Sequence, residues 1–162
     1  MEPTISEKPI ASAIQLKKIL VPVDFSEPSE EALRQAVRFA DQFGAAITLL
    51  HVMPAPVAAF PEVAAYCDNV EQNLECAEAA LQTMAAHPML KKRRVRTEVR
   101  SGLAAHEIVE AAREFDSDLI VIATHGYTGW KHFCIGSTTE RVVRTAPCPV
   151  FVVREKKRHA IH

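Results

Sequence analysis

The sequence lacks the features that would place it outside the cell, in a membrane or on nucleic acid. Only four of its 162 residues are cysteine and none form a C-x-x-C pair, so a disulfide-stapled secreted domain is not predicted. The formal net charge of −1 gives no overall attraction to nucleic acid or lipid. No apolar run reaches membrane-spanning length, and the opening "MEPTISEKPIASAIQ" lacks the basic start and apolar core of a signal peptide. We therefore expect reduced thiols and a cytoplasmic protein.

The length of the chain fits one domain with a single core. We expect residues 1–15 to form a flexible leader, residues 16–155 to form the domain, and residues 156–162 to form a basic tail. The end "REKKRHAIH" contains no aromatic residue among its charges, so it is interpreted as a solvated end and not as a nucleic-acid site.

Apolar runs and amphipathic stretches alternate along the chain. The runs "KKILVPV", "AITLLHV", "LIVIA" and "VFVV" are typical of strands buried on both faces. The stretches between them have helical periodicity and give the order β-α-β-α-β-α-β-α-β. This alternation predicts a doubly wound α/β domain, with a five-stranded parallel sheet and helices on both faces.

Local signals predict where the helices begin and end. Pro28 fits only the first turn of helix one, and Gly44 can close it. Apolar residues from 66 to 84 mark helix two, which is expected to end near residues 87–88. Helix three is expected over residues 105–115. The sequence "STTE" predicts a capping box at the start of helix four, in which Ser137 caps the amide of Glu140 and Glu140 reaches back.

The third strand decides the strand order. In "RVRTEVR" apolar and charged residues alternate, so one face must lie near water, whereas "AITLLHV" requires cover on both faces. Strand three is therefore expected at an edge, which favours the order 3-2-1-4-5 over 2-1-3-4-5. Pro22 removes a hydrogen-bond donor from strand one, a central strand in this order. A proline is tolerated there because Pro22 lies at the end of the strand.

The predicted order places a ligand crevice above the carboxyl ends of strands one and four. The loops there are "VPVDFS" and "IATHG". Three of the five glycines of the chain follow strand four, at positions 126, 129 and 136. Glycine lets a backbone approach a phosphate closely, and the amides at the start of helix four favour an anion. The stretch is interpreted as a phosphate cradle.

Asp24 faces this cradle across the crevice, where a carboxylate can accept hydrogen bonds from ribose hydroxyls or a base edge. Residue types alone leave two other roles open: Asp24 can cap helix one, and the glycines can simply form a turn. His125 can contact a phosphate or an adenine, or can bond to its own backbone.

Four blocks, "KKILVPVDFSEPSEEAL", "ITLLHV", "DLIVIATHG" and "GSTTERVVRTAPCPVFVV", resemble the universal stress protein family over about residues 17–154. The pattern G-x2-G-x9-G-[ST] of its ATP-binding members is similar to Gly126, Gly136 and Ser137, with Ala123 at the first glycine. The resemblance implies an adenine nucleotide alpha hydrolase-like fold, a homodimer, and binding of ATP, AMP or ADP. It implies that Asp24 meets the ribose and Val52 the adenine. The full set of expected nucleotide-binding residues is Pro22, Val23, Asp24, Val52, Ala123, His125, Gly126, Gly136, Ser137 and Thr138.

Alanine at position 123 adds a methyl group, which can crowd a ligand that packs on the backbone. We nevertheless expect nucleotide binding.

The leading functional hypothesis is a regulatory protein of the stress response that binds ATP, and it is not expected to be an enzyme beyond weak hydrolysis. The chain has no G-x4-G-K-[ST] loop and no base beyond Asp24 and His125 that could activate water. Two alternatives are slow ATP hydrolysis, with Mg²⁺ held through Asp24, and a nucleotide-free dimeric scaffold. The sequence "HEIVE" lacks the second histidine of a zinc protease helix, so no metal site is predicted there.

The last strand, "VFVV", is apolar although the predicted order places it at the other edge of the sheet. An exposed apolar edge favours pairing with a second copy. We therefore expect a homodimer through residues 150–153.

Overall fold

Five strands and four helices alternate along the chain in the computed structural model, which describes residues 15–55, 70–124 and 136–154. The predicted leader and tail fall almost entirely outside these ranges, so the domain bounds stay predictions. The elements are β1 (Lys18–Pro22), α1 (Glu27–Phe43), β2 (Ala46–Met53), α2 (Val70–Ala85), β3 (Val95–Ser101), α3 (Ala104–Glu114), β4 (Leu119–Ala123), α4 (Ser137–Thr145) and β5 (Val150–Val153). None of the described helices combines the length and apolarity needed to cross a membrane.

The five strands form one parallel sheet in the order β3-β2-β1-β4-β5. Ile19 pairs with Ile47 of β2 on one side and with Leu119 of β4 on the other, so β1 is central. The predicted order 3-2-1-4-5 is confirmed. The connections leave β1 and β4 in opposite directions, so a crevice opens between their carboxyl ends.

β3 is an edge strand, as its alternating sequence predicted. All seven of its residues keep partial or full exposure. The guanidinium groups of Arg96 and Arg100 lie 4.2 and 5.2 Å from the ring centroid of Phe115, just after α3. Charged side chains can therefore lie on this strand, because both guanidinium groups stack on an aromatic ring and that of Arg100 also pairs with carboxylates such as Glu114.

Helices cover both faces of the sheet. On one face, Leu33 of α1 and Leu81 of α2 are fully buried in a cluster with the odd-numbered residues of β1, such as Val21. On the other face, Ile108 of α3 and Val142 of α4 pack with Leu20 and its neighbours. The double cover explains why β1 and β4 are apolar without interruption.

The ends of α1 agree with the sequence. Pro28 lies in its first turn, and Gly44 closes it in the left-handed conformation, with φ of 70°. α2 ends at Ala85, slightly earlier than expected, and a short 3₁₀ turn follows at Pro88–Leu90. The expected start of α2 at residues 66–69 lies outside the described residues.

The capping box predicted for α4 is wrong. Gly136 is the N-cap and Ser137 is already helical, and within the described residues no side chain caps this helix. The Glu140 carboxylate instead accepts a hydrogen bond from Arg144, 2.6 Å away and one turn later. The register differs by one residue because Gly136 is held to the end of β4, a contact between segments that a local pattern does not contain.

Candidate functional site

A cavity of about 200 Å³ opens between the carboxyl ends of β1 and β4. The residues that line it come from the ends of β1, β2 and β4, the starts of α1 and α4, and one face of α3. They are Pro22, Val23, Asp24, Ser29, Leu50, Val52, Ala104, Ile108, Ile122, Ala123, Thr124, Gly136, Ser137, Thr138 and Thr139. The two loops that the sequence placed face to face thus border one cavity.

Asp24 borders the cavity two residues after β1. The amide of Val23 still donates to Leu50 O at 2.8 Å, so the contact with β2 continues one residue past the strand. The carboxylate of Asp24 accepts hydrogen bonds from the amide of Ser26, at 3.1 Å, and from its hydroxyl. The N-cap of α1 is Ser26, which accepts from the amide of Ser29. Asp24 therefore supports the capping residue and does not cap the helix itself.

The start of α4 is bound directly to the end of β4. The amide of Gly136 donates to Thr124 O at 2.9 Å, and the buried hydroxyl of Thr139 donates to Ala123 O at 2.8 Å. The first amides of a helix have no partner within it, and they carry the positive end of the helix dipole. These two contacts hold that end of α4, beginning at Ser137, at the wall of the cavity.

Gly136 is required by this close approach. A Cβ atom built there would lie 3.1 Å from Thr124 O, tighter than an ordinary contact with a backbone atom that cannot easily move. The absence of a side chain thus lets the helix begin against the strand.

The methyl group of Ala123 lies on the far side of the sheet from most of the cavity. Ala123 is 7% exposed and belongs to the cluster beneath α1, whereas its neighbour Ile122 belongs to the cluster beneath α3. Successive side chains of a strand point to opposite faces. Leu50 and Val52, which also line the cavity, lie on the face of Ile122. The alanine therefore presents backbone to the cavity while its methyl fills the core.

An apolar wall forms the remaining side of the cavity. It consists of Leu50 and Val52 from β2, Ile122 from β4, and Ala104 and Ile108 from α3. Such a surface suits a flat aromatic ring, and the polar groups lie at the opposite end, near Asp24 and α4. Pro22 and Val23 border the cavity beside Asp24. That these three residues bind a nucleotide stays a prediction.

Two expected site residues, His125 and Gly126, lie outside the described residues. Their roles stay predictions of the sequence.

Sequence reasoning missed several lining residues: Ser29, Leu50, Ala104, Ile108, Ile122, Thr124 and Thr139. For α3 a usable signal existed, because helix three is predicted over residues 105–115, which include Ile108, and the predicted order places the start of that helix at the same sheet edge. For Thr139 the local signal is misleading, because "STTE" predicts a capping box within the helix whereas the Thr139 hydroxyl bonds to Ala123 O of β4.

The residues of the "HEIVE" stretch have other partners. Glu107 lies 4.0 Å from Arg100, and Glu110 forms an ion pair with Arg113 on the same helix. His106 is exposed. These contacts account for the two carboxylates through ordinary charge pairing.

Comparisons with known proteins agree with this architecture. A model of the universal stress protein family matches residues 15–154. A universal stress protein of Methanocaldococcus jannaschii is 34% identical over 143 residues, which is 88% of this chain and 84% of that one. Universal stress protein G of Salmonella typhimurium is 37% identical over 85% of this chain and 99% of its own length. The solved structure of universal stress protein UspA from Lactobacillus plantarum has a TM-score of 0.76 at 29% identity, covering 88% of this chain and 100% of that one.

Two more distant solved structures share the fold and hold adenine nucleotides. One is a universal stress protein in complex with cAMP, with a TM-score of 0.55, 21% identity, and coverage of 87% of this chain and 98% of that one. The other is the universal stress protein from Archaeoglobus fulgidus in complex with dAMP, with a TM-score of 0.59, 21% identity, and coverage of 86% and 98%. At this identity the likeness extends to the fold alone. The family match over nearly the whole chain, together with relatives above 30% identity, shows that the chain belongs to the universal stress protein family.

Proposed function

We propose that this chain is a regulatory protein that binds an adenine nucleotide, ATP foremost, in the cavity between β1 and β4. One observation carries the proposal: a carboxylate, Asp24, and the amino end of a helix, at Gly136 and Ser137, border the same cavity. A nucleotide needs both, because its ribose offers hydroxyl donors and its phosphates carry negative charge.

The phosphates belong at the start of α4 in this proposal. The amides of Ser137 and Thr138 lie in the first turn, where the helix dipole favours an anion, and both side chains add a hydroxyl. A Cβ atom at Gly136 would lie 3.1 Å from Thr124 O, and because glycine has no side chain a phosphate could contact the backbone directly there. Gly126 and His125 are expected to complete this end.

The ribose belongs at Asp24. A carboxylate accepts hydrogen bonds from vicinal hydroxyls, and such charge-assisted bonds are stronger than neutral ones. Because the amide and hydroxyl of Ser26 already hold the Asp24 carboxylate, its orientation is established before a ligand arrives. Mg²⁺ bound to the phosphates can be reached from Asp24 through water, which fits the preference of this ion for oxygen ligands.

The base belongs against the apolar wall. Val52 and Leu50 lie near Pro22 on one side, and Ile108 closes the other. An adenine ring buried there would contact aliphatic side chains on its faces and could meet backbone groups at the ends of the strands with its polar edge.

We propose that the chain works in the cytoplasm as a homodimer in a stress response. A nucleotide bound in the cavity would affect the residues around α4 and β5. The cavity and the proposed dimer edge are adjacent through β4, which pairs with β5 from Ile120 to Ala123. A nucleotide that fixes the end of β4 can thus influence the neighbouring edge.

Calorimetric titration with ATP tests the binding proposal. We expect Asp24→Ala to weaken ATP binding by about tenfold or more, the effect typical of losing a hydrogen bond to a charged group. Asp41→Ala is the matched control, because Asp41 is a carboxylate paired with Arg93 elsewhere on the molecule, and its affinity should equal that of the unaltered protein.

Two results would contradict this proposal. One is the absence of heat and of any rise in melting temperature at millimolar ATP, since a ligand of the folded state must stabilise it; that result favours a nucleotide-free scaffold. The other is sustained phosphate release that disappears in the Gly126→Ala variant, which would make the chain an ATP hydrolase.

A further inference from the structure

The loop that carries Asp24 has an unusual backbone. Phe25 has φ of 62°, in the left-handed region that residues with a Cβ seldom adopt. The reversal at Phe25 allows the amide of Ser26 to turn back and donate to the Asp24 carboxylate. Such a conformation persists only where surrounding contacts hold it.

One side chain of β2 contacts both residues that flank Asp24. The ring of His51 lies against the ring of Phe25, with centroids 4.6 Å apart and planes inclined by 38°. Its Nδ1 lies 2.8 Å from Val23 O. Because a carbonyl oxygen can only accept, Nδ1 must carry the proton and donate it. His51 therefore holds the loop on each side of Asp24.

His51 reaches the loop from the face of the sheet opposite the apolar wall. Its neighbours Leu50 and Val52 line the cavity, and side chains alternate along a strand, so His51 points toward the side of α1. Phe25 likewise packs against the cluster beneath α1. His51 is not among the residues that line the cavity, so any effect on a ligand must pass through the loop.

We propose that His51 is a positioning residue for the nucleotide site: it fixes the left-handed turn at Phe25 and thereby the direction of the Asp24 carboxylate. This inference rests on the proposed function for its effect on binding, but not for its effect on the loop. His51→Phe keeps an aromatic ring beside Phe25 and removes the donor to Val23 O. It is therefore the smallest substitution that tests the inference.

The first measurement is independent of nucleotide. Amide hydrogen exchange followed by NMR reports the hydrogen bond from the Ser26 amide to Asp24, and the Gly44 amide, bonded to Ala40 O at the far end of α1, is the internal control. In His51→Phe we expect protection of Ser26 to fall about tenfold more than protection of Gly44, which is of the order expected from one lost hydrogen bond. Equal changes at both amides would overturn the inference.

The second measurement is a double-mutant cycle on ATP affinity. We expect His51→Phe as the only substitution to weaken ATP binding by about fivefold. When Asp24→Ala is already present, the same substitution should weaken binding by less than about twofold, because the two residues act as one unit. Losses that multiply would show that His51 acts elsewhere and would overturn the inference. If the unaltered protein binds no ATP, the proposed function fails, and the exchange experiment alone decides the role of His51.

Discussion

At the scale of single residues, the structure shows where the side chain of Ala123, a departure from a motif, is placed. The sequence predicts that its methyl group can crowd a ligand, since the motif that the sequence resembles has a glycine at this position. In the structure Ala123 belongs to the cluster beneath α1 with Val153 and Val21, as the alternation of side chains along β4 requires. A sequence motif does not specify on which face of the strand each side chain lies.

This placement makes a prediction about Ala123→Gly. ATP affinity should change by less than about threefold, while the free energy of unfolding falls by about 1 kcal/mol from the lost methyl contacts and the greater freedom of glycine in a strand. Titration calorimetry and urea unfolding measure the two quantities. Gly136→Ala is the contrasting variant, because its added methyl lies 3.1 Å from Thr124 O and should weaken binding. A rise in affinity above tenfold in Ala123→Gly would mean that the methyl group does obstruct the ligand.

The position of Asp24 was predictable from the sequence, because a polar residue just after an apolar strand lies at the carboxyl edge of the sheet. Its hydrogen bonds to Ser26, and the contact of His51 with Phe25, were not. They depend on the left-handed conformation of Phe25, which no local sequence pattern predicts for a residue other than glycine.

At the scale of elements, the joint between β4 and α4 determines the geometry of the phosphate end. The Thr139 hydroxyl is buried and donates to Ala123 O, so it attaches the first turn of the helix to the strand. This contact also explains the one-residue error in the capping box. The run "GSTTE" offers several capping residues, and a bond to a residue 16 positions away selects among them.

Thr139→Val removes this bond while keeping the shape of the side chain. We expect the free energy of unfolding to fall by about 1–3 kcal/mol, because a buried carbonyl loses its partner, and ATP affinity to fall with it. Urea unfolding and titration calorimetry provide the measurements. Thr145→Val is the control, since its exposed hydroxyl donates to Arg141 O in the same helix and should matter little. Equal stability of the two variants would contradict the structural role of Thr139.

The order of the strands was predictable because one strand differs from the others. The alternating charges of β3 exclude a central position, and a central strand of this sheet must be apolar on both faces. Element boundaries were less certain, as the early end of α2 shows, because the turn at Pro88–Leu90 continues a helical pattern without belonging to the helix.

At the scale of the whole molecule, two features of the sheet matter: the crevice at the switch between β1 and β4, and the edge at β5. Phe151 of β5 is 41% exposed although apolar, and its ring meets the edge of Phe39 with centroids 5.1 Å apart. An apolar edge strand of this kind favours association with a second copy. The expected homodimer through β5 remains a prediction.

Phe151→Asp tests the dimer. A charge on the pairing edge must either be buried or remain unpaired, so we expect the dimer to dissociate to monomers in light scattering at micromolar concentration. Leu103→Asp is the matched control, because Leu103 is also an exposed apolar residue, 72% accessible, but it precedes α3 and lies away from β5. A Phe151→Asp protein that stays dimeric, or an unaltered protein that is monomeric, would contradict the predicted interface.

The central claim is that the winding of the sheet creates a nucleotide site between the ends of β1 and β4. Its most direct test is an electron-density map from crystals grown with ATP. The account predicts density for the nucleotide with its ribose beside Asp24 and its phosphates at the first turn of α4, beginning at Ser137. Density for ATP at another place, or an empty crevice at a concentration that calorimetry shows to be saturating, would contradict it.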